Sequence, residues 1–382
     1  MMAQVVVRES EDQQLQNACG RVLAEDVIAK HDHPLFDMSA VDGYALGDAN
    51  GPWQLIGTVA AGEVLGRSVR PGECVRIFTG ALVPTDSHCV VMQEVCTLSE
   101  GMLTLAAPVP ANGANIRRRS EGSRAGDVLL RQGSRIDVAG VGLLASCGIG
   151  NLSVVSEVRV SIVRTGGEFN EEGELRPGRI FSSNELMLIA ATKQAGFIPP
   201  KNAFIANDTE HELRNAITAA VEEGDVVITT GGASVGDHDL VHPVLQKLGA
   251  TIHFHGVAQK PGKPMLFATV KGVPVFALPG NPRAVLVCWY EYVLPFLHAC
   301  CGMQDPWPRT DLLPLAHAVK LKGERAEFRA ARVRGGKVDL LADEGSHMLG
   351  SLVNADALAY FPIGTRASDA SDPVEIHYLP NR

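Results

Sequence analysis

The chain lacks the features that would place it outside the cytoplasm or on a nucleic acid. Its eight cysteines (Cys19, Cys74, Cys89, Cys96, Cys147, Cys288, Cys300 and Cys301) include no CxxC pair, no His–Cys metal spacing and no dense framework for 382 residues. A disulfide scaffold is thereby excluded, and reduced thiols are expected. Long hydrophobic runs are also missing. The start, MMAQVVVRESEDQQ, has no apolar signal core, and the late run VLVCWYEYVLPFL at 285–297 is broken by Glu291 and Pro295, so the cytoplasm is the expected compartment. Excess positive charge is absent: a net charge of −9 argues against nucleic acid or an anionic membrane as the main partner. No repeat or low-complexity tract occurs.

What is present is enough apolar sequence for several cores. With 46% apolar and 20% charged residues over 382 positions, two to four domains are expected. Leu15, Ala18, Val22 and Leu23 fall near helical spacing and predict a short amphipathic helix over Gln13–Ala24. From about Asp42 to Gly140, frequent Gly and Pro separate short apolar runs, the pattern of a β-rich module. A second helix-like stretch, Val138–Cys147, would pack on the first, making the β module an insertion. From Val158 onward, apolar strands alternate with amphipathic helices, which predicts a doubly wound α/β domain. After Pro308 the short β runs return. The expected division is 1–39 with 138–157, the insert 40–137, the α/β domain 158–307 and a β module 308–382.

Three loops of the α/β segment carry chemistry: TGGASVGDHD at 230–239, KPGKP at 260–264 and LPGNP at 278–282. In open parallel sheets ligands bind beyond the carboxyl ends of the strands, where these turns fall. Gly231, Gly232, Ser234 and Gly236 stand where a strand turns into a helix N-terminus, a setting that favours phosphate. Asp237 and Asp239 in that loop, with Glu168 after the first strand, offer hard oxygen ligands for Mg²⁺. Glu168 has the competing role of capping a turn. Lys260 and Lys263 bracket a rigid Pro-Gly turn and favour an oxyanion, while Pro279 and Asn281 shape the LPGNP turn. Asp225 precedes its strand and by simple geometry lies at the opposite end of the sheet. Asn184 reads as a helix N-cap. Asp42-Gly43 and Thr79-Gly80 read as turns, and Arg117-Arg118-Arg119 as either a structural clamp or a ligand contact.

In combination the segments DMSAVDGYA, GECVRIFTGALVP, ANIRRRSEG, VSIVRTGGE, RIFSSNELMLIA, DVVITTGGASVGDHD, QKPGKPMLF and VFALPGNPRAVLV resemble, in order, the molybdopterin molybdenumtransferases. These are the bacterial MoeA type, related to the E domain of gephyrin and the plant molybdenum-insertion enzymes. The resemblance runs from about Gln14 to the C-terminus. It implies four domains: a discontinuous small domain, an inserted β-rich lasso, a molybdopterin-binding α/β domain and a C-terminal β-barrel. It further implies insertion of molybdate into adenylylated molybdopterin with release of AMP, Mg²⁺ as cofactor, and a homodimer whose active site lies between subunits. The adenylyltransferase that makes the substrate is a further implied partner. Matched by motif, Asp42 and Thr79 line the cleft of the partner chain and Glu168 and Asp239 meet metal and phosphate. Asp225 matches an acidic position opening the GG strand, and Lys260 and Lys263 bind oxyanion. Three positions depart from the pattern: Gly167 and Gly122 stand where carboxylates are usual, and Gly350 where a serine is frequent. The two lost carboxylates leave open a weakened paralogue that serves as a binding or scaffold module, and a different nucleotide-dependent transferase or hydrolase is a third alternative.

Overall fold

Hydrophobic residues on successive positions of the middle strands face opposite ways, and each face finds its own helices. The computed structural model describes residues 1–170, 175–232, 240–342 and 345–380. Its central elements are β1 (Val160–Thr165), α1 (Asn184–Gln194), β2 (Phe204–Ala206), α2 (Glu210–Glu223), β3 (Val226–Thr230), α3 (Val241–Lys247), β4 (Thr251–His255), β5 (Leu266–Val270), β6 (Val273–Leu278) and α4 (Pro282–Cys288). On one side Val160, Ile162, Val226, Ile228 and Phe276 pack with Leu188 of α1 and Val285 of α4. On the other, Val163, Val227, Val275 and Ala277 pack with Leu213 and Ile217 of α2 and Val244 of α3. Covering both faces is why these strands are near-continuous apolar runs; all five residues of β3 are buried.

The sheet order is β2-β1-β3-β6-β5-β4. β2, β1, β3 and β6 are parallel, whereas β5 pairs antiparallel with both β6 and β4. The doubly wound arrangement therefore ends in an antiparallel edge. Its hairpin turns on Lys271 and Gly272, which adopt φ of 51° and 84°, as a two-residue turn between right-twisted strands requires.

N-terminal to this domain, Ser10–Gln14 pairs antiparallel with Asn151–Val155, so two distant segments share one core around Leu15, Leu23, Leu144 and Val154. The helix predicted over Gln13–Ala24 does not form. Ser10–Gln14 is a strand, Leu15–Asn17 a single 3₁₀ turn, and Leu23 bridges Val154. Leu15, Ala18, Val22 and Leu23 are all buried, so the spacing reported burial and not helix; Gly20 at φ 88° turns the chain back. The helix at Val138–Ser146 does form, with the Asp137 carboxylate accepting from Gly140 N–H at 2.7 Å.

Between these segments lies a six-stranded sheet, in order Cys89–Met92, Gly43–Leu46, Glu73–Ile77, Trp53–Val59, Met102–Leu105 and Cys96–Ser99. The C-terminal strands Ala326–Arg334, Ala357–Phe361, Pro373–Tyr378 and Thr310–Pro314 form a second sheet. It curls until Leu315 bridges Val338 of the strand beside Ala326–Arg334. Its far edge is Gln259–Lys260, which pairs parallel with Ala326–Glu327. One loop of the α/β domain is thereby built into the C-terminal sheet. The chain is thus an α/β domain joined to β-rich units. Among the described residues no helix is long and apolar enough to cross a membrane.

Candidate active site around the Pro279–Pro282 turn

β1, β3 and β6 end at one edge of the sheet, and their exits meet there. Gly231, at φ 90°, lies where an added Cβ would stand 2.6 Å from Thr165 Oγ1 and 2.9 Å from Thr165 O. Only glycine allows the loops after β1 and β3 to approach so closely. Asn184 braces the third loop: its Nδ2 donates to Thr230 Oγ1 at 2.8 Å and to Gly280 O at 2.7 Å. The N-cap of α1 is Ser183, so Asn184 is a cross-tie and not the cap its sequence position suggested. Because Gly280 O can only accept, the amide orientation is fixed, and Asn184 Oδ1 is left buried with no partner.

These loops enclose a cavity of about 370 Å³ whose walls include Glu168, Asn184, Gly231, Gly280, Asn281 and His347. Glu168 is exposed. Beside it, Gly167 N–H donates to the Asp208 carboxylate at 3.1 Å, so a carboxylate is present at this turn although residue 167 has none of its own. Arg164 stacks over Phe169 at 4.6 Å and pairs with Glu185 at 3.3 Å.

A second cavity, of about 390 Å³, lies on the other side of the same turn and shares Asn281. Lys260, Lys263, Arg325 and Ser346 contribute to it. Lys260 Nζ stands 3.6 Å from Glu327 Oε2, which Arg329 also contacts at 3.1 Å. The buried Glu327 thus anchors Lys260, while Lys263 is exposed. Arg283 N–H holds Ser346 O at 3.1 Å, so the segment after residue 344 reaches both cavities through Ser346 and His347. Three cationic side chains around one concavity suit a tetrahedral oxyanion. Arg325 was invisible to motif reasoning because it comes from the C-terminal sheet; the only available signal was an arginine opening an apolar run.

Asp42 and Thr79 are brought to each other. Asp42 Oδ1 accepts from Thr79 N–H and Oγ1, both at 2.7 Å. The Thr79 amide first, then its hydroxyl and the Arg76 charge, hold the Asp42 carboxyl below its usual range. Both residues are exposed, and neither lines either cavity. Asp225 is not at this edge. It sits at the start of β3, about 20 Å of extended chain from Gly231, and is gripped by Arg159 at 2.9 Å and Arg8 at 3.1 Å. Burial opposes its ionisation, but the Arg159 hydrogen bonds and the Arg8 charge outweigh burial and keep the carboxyl low. That position makes it a clamp between β3 and the N-terminal segment, away from the two clefts at the other edge.

Arg118 and Arg119 pair with Asp37 and Asp32 at 2.6 Å each, which is the clamp reading of the arginine cluster. Gly122 lies where a Cβ would come within 3.2 Å of His33 O, a steric reason for glycine there. Ser234, Gly236, Asp237 and Asp239 lie outside the described residues, between β3 and α3. Among the described residues no three His, Cys, Asp or Glu side chains form a metal cluster.

Fold and site together define a class: multidomain α/β proteins in which a carboxylate-bearing cleft and a lysine-bearing cleft share one turn. Three family descriptions match along the chain: MoeA N-terminal region (domain I and II) over residues 1–148, probable molybdopterin binding domain over 161–299, and MoeA C-terminal region (domain IV) over 313–379. The chain is 33% identical over 382 residues to the molybdopterin molybdenumtransferase of Nostoc sp., covering 95% of this chain and 87% of that one. It is 32% identical over 363 residues to that of Haemophilus influenzae, covering 90% and 87%. The crystal structure of the molybdopterin biosynthesis moeA protein from Pyrococcus horikoshii OT3 superposes with a TM-score of 0.84 at 26% identity, covering 99% of this chain and 97% of that one. The chain belongs to the molybdopterin molybdenumtransferase family.

Proposed function

We propose that this protein inserts molybdenum into molybdopterin presented in adenylylated form, releasing AMP. The observation that carries the reading is the pair of cavities sharing Asn281, one lined by Glu168 and the Gly231 loop, the other by Lys260, Lys263 and Arg325. A substrate spanning the turn would place its phosphates near one side and molybdate, as the second substrate, against the cations of the other. Lys260, held by Glu327, keeps a fixed position, and Lys263 and Arg325 supply donors where negative charge accumulates. The close approach of Gly231 to Thr165 holds the loops after β1 and β3 together at the rim of the first cavity.

Magnesium fits the donor set in kind. The Glu168 carboxylate has no hydrogen bond or ion pair to any described residue, and carboxylate oxygen is the ligand type this ion prefers. Glu168 would hold it, with Asp237 and Asp239 of the neighbouring loop. Bound there, the ion would offset the charge of the pyrophosphate link whose cleavage releases AMP. The reading also includes a homodimer in which the exposed Asp42–Thr79 pair faces the cleft of the partner chain, and a cytoplasmic location where the adenylyltransferase delivers its product.

The test is AMP release from adenylylated molybdopterin in the presence of molybdate, with Mg²⁺ varied. Asp239→Ala and Glu168→Gln are expected to abolish metal-dependent release while leaving the melting curve in place. Full turnover by both variants would remove these carboxylates from the mechanism.

A further inference from the structure

Two histidines meet at the outer edge of the central sheet, and neither lines the two clefts above. His242 lies in the first turn of α3 and His255 ends the edge strand β4. Their ring centroids are 4.9 Å apart at an interplanar angle of 38°. A regular strand would not bring them together. Ile252 lies opposite Ala268 and Phe254 opposite Phe267, so β4 carries one extra residue, His253, in its ladder with β5. Side chains alternate along a strand, and without that bulge Ile252 and His255 would point to opposite faces. With it, His255 lies opposite Leu266, which packs with Ala268 against Val241 and Val244 of α3. Bulges re-aim side chains in this way beside functional sites. His253 is engaged elsewhere, its Nε2 lying 3.2 Å from Thr269 Oγ1. His242 and His255 have no hydrogen bond or ion pair to any described residue; His255 is exposed and His242 half-buried. Lys247, the one lysine or arginine of α3 and β4, is paired with Glu210 at 2.6 Å, so neither element brings an unpaired cation to the rings.

We propose that His242 and His255 bind a divalent transition-metal ion of the nickel or zinc type, each ring giving one nitrogen and water filling the remaining positions. The donors select the class. Imidazole suits Ni²⁺ and Zn²⁺, whereas Mg²⁺ takes oxygen ligands. The spacing agrees: a metal about 2.1 Å from one nitrogen of each ring, with about 90–110° between the two bonds, sets the ring centroids roughly 4.5–5.2 Å apart. The observed 4.9 Å falls inside that range. A bound ion would tie α3 to the edge of the sheet. Val241 N–H at the start of α3 donates to Gly232 O at 3.3 Å, so the clamp acts on the element tied to the Gly231 loop. The site differs in place and in ligand chemistry from the magnesium position around Glu168.

The test titrates the full, tag-free chain with Ni²⁺ by calorimetry; Ni²⁺ is the probe because the exposed Cys19 competes for the more thiophilic Zn²⁺. Ni²⁺ is expected to bind saturably, one ion per chain, and to stay bound in excess Mg²⁺. His242→Ala and His255→Ala should each lose at least tenfold in affinity, whereas His317→Ala, which removes an exposed histidine of the C-terminal β unit, should lose none. The ion should also raise the melting temperature of the parent and leave that of His255→Ala in place. Absence of saturable binding, displacement by Mg²⁺, undiminished affinity in either folded variant, or an equal loss in His317→Ala would each overturn the proposal. Should His242→Ala fail to fold, His255→Ala, which alters an exposed side chain, decides. Only metal binding and melting are read, so failure here leaves the molybdenum-insertion reading untouched.

Discussion

Replacing Asn184 tests how the loops are held. Asn184→Ala removes two hydrogen bonds, to Thr230 Oγ1 at 2.8 Å and Gly280 O at 2.7 Å, each worth about 1 kcal/mol net. It also strands a carbonyl beside the cleft, which adds about 1–2 kcal/mol where water does not replace the donor. Losing the unpartnered Oδ1 offsets a little of this, so the expected loss is about 2–4 kcal/mol. That corresponds to a fall of about 5–10 °C in the transition of the α/β domain. Asn184→Asp is the sharper variant. At neutral pH it points a carboxylate at the Gly280 carbonyl, so its folded pKa is raised and the protein regains stability as pH falls and the acid becomes a donor. Denaturant titrations at pH 5 and pH 7.5 should show Asn184→Asp weaker than Asn184→Ala at pH 7.5, with the gap closing at pH 5. Stability of Asn184→Asp within about 0.5 kcal/mol of the parent at pH 7.5 would refute the cross-tie.

Further outcomes follow from the same geometry. Lys263→Ala should weaken calorimetric binding of molybdate by about 10- to 100-fold, the value of one hydrogen bond to a charged group; unchanged affinity removes Lys263 from the oxyanion site. Asp225→Asn should leave AMP release per folded molecule intact but cost about 1–2 kcal/mol, reduced because Arg8 and Arg159 are partly exposed. Since the Asp225 pKa is depressed, that difference is present above the unfolded-state pKa of about 4 and vanishes as pH falls through the folded value. For His377, burial opposes protonation, but Glu291 and Glu375 raise the pKa overall. Its stabilising contribution is complete below about pH 6.5 and is lost as pH rises through the folded value, so His377→Gln should flatten the fall in stability above about pH 6.5.

The central domain was legible because its strands are buried on both faces and its helices are amphipathic, so β1, β3 and β6 announced themselves as apolar runs ending in glycine. The antiparallel edge was not, since nothing in Leu266–Val270 distinguishes strand direction; only the Lys271-Gly272 turn carries that information. Leu15, Ala18, Val22 and Leu23 misled because a 3₁₀ turn followed by extended chain can bury the same spacing that a helix would. Glu168, Gly231, Lys260, Lys263, Pro279 and Asn281 were located by their place after strands. Asn184 was misassigned because a cap and a cross-tie share the same position before a helix, differing only in where the amide points. Asp225 matched a motif, but its side chain meets two arginines at the far end of its strand. Arg325 and His347 come from the C-terminal sheet and its loops, and no local pattern connects them to residues 60 or more positions earlier.

The most direct test of the account is to incubate the purified protein with adenylylated molybdopterin, molybdate and Mg²⁺, following AMP release together with reconstitution of a molybdenum-free apoenzyme. The account predicts AMP release coupled to reconstitution, with both lost in Lys260→Ala/Lys263→Ala. Tight binding of the substrate without release of AMP would contradict it.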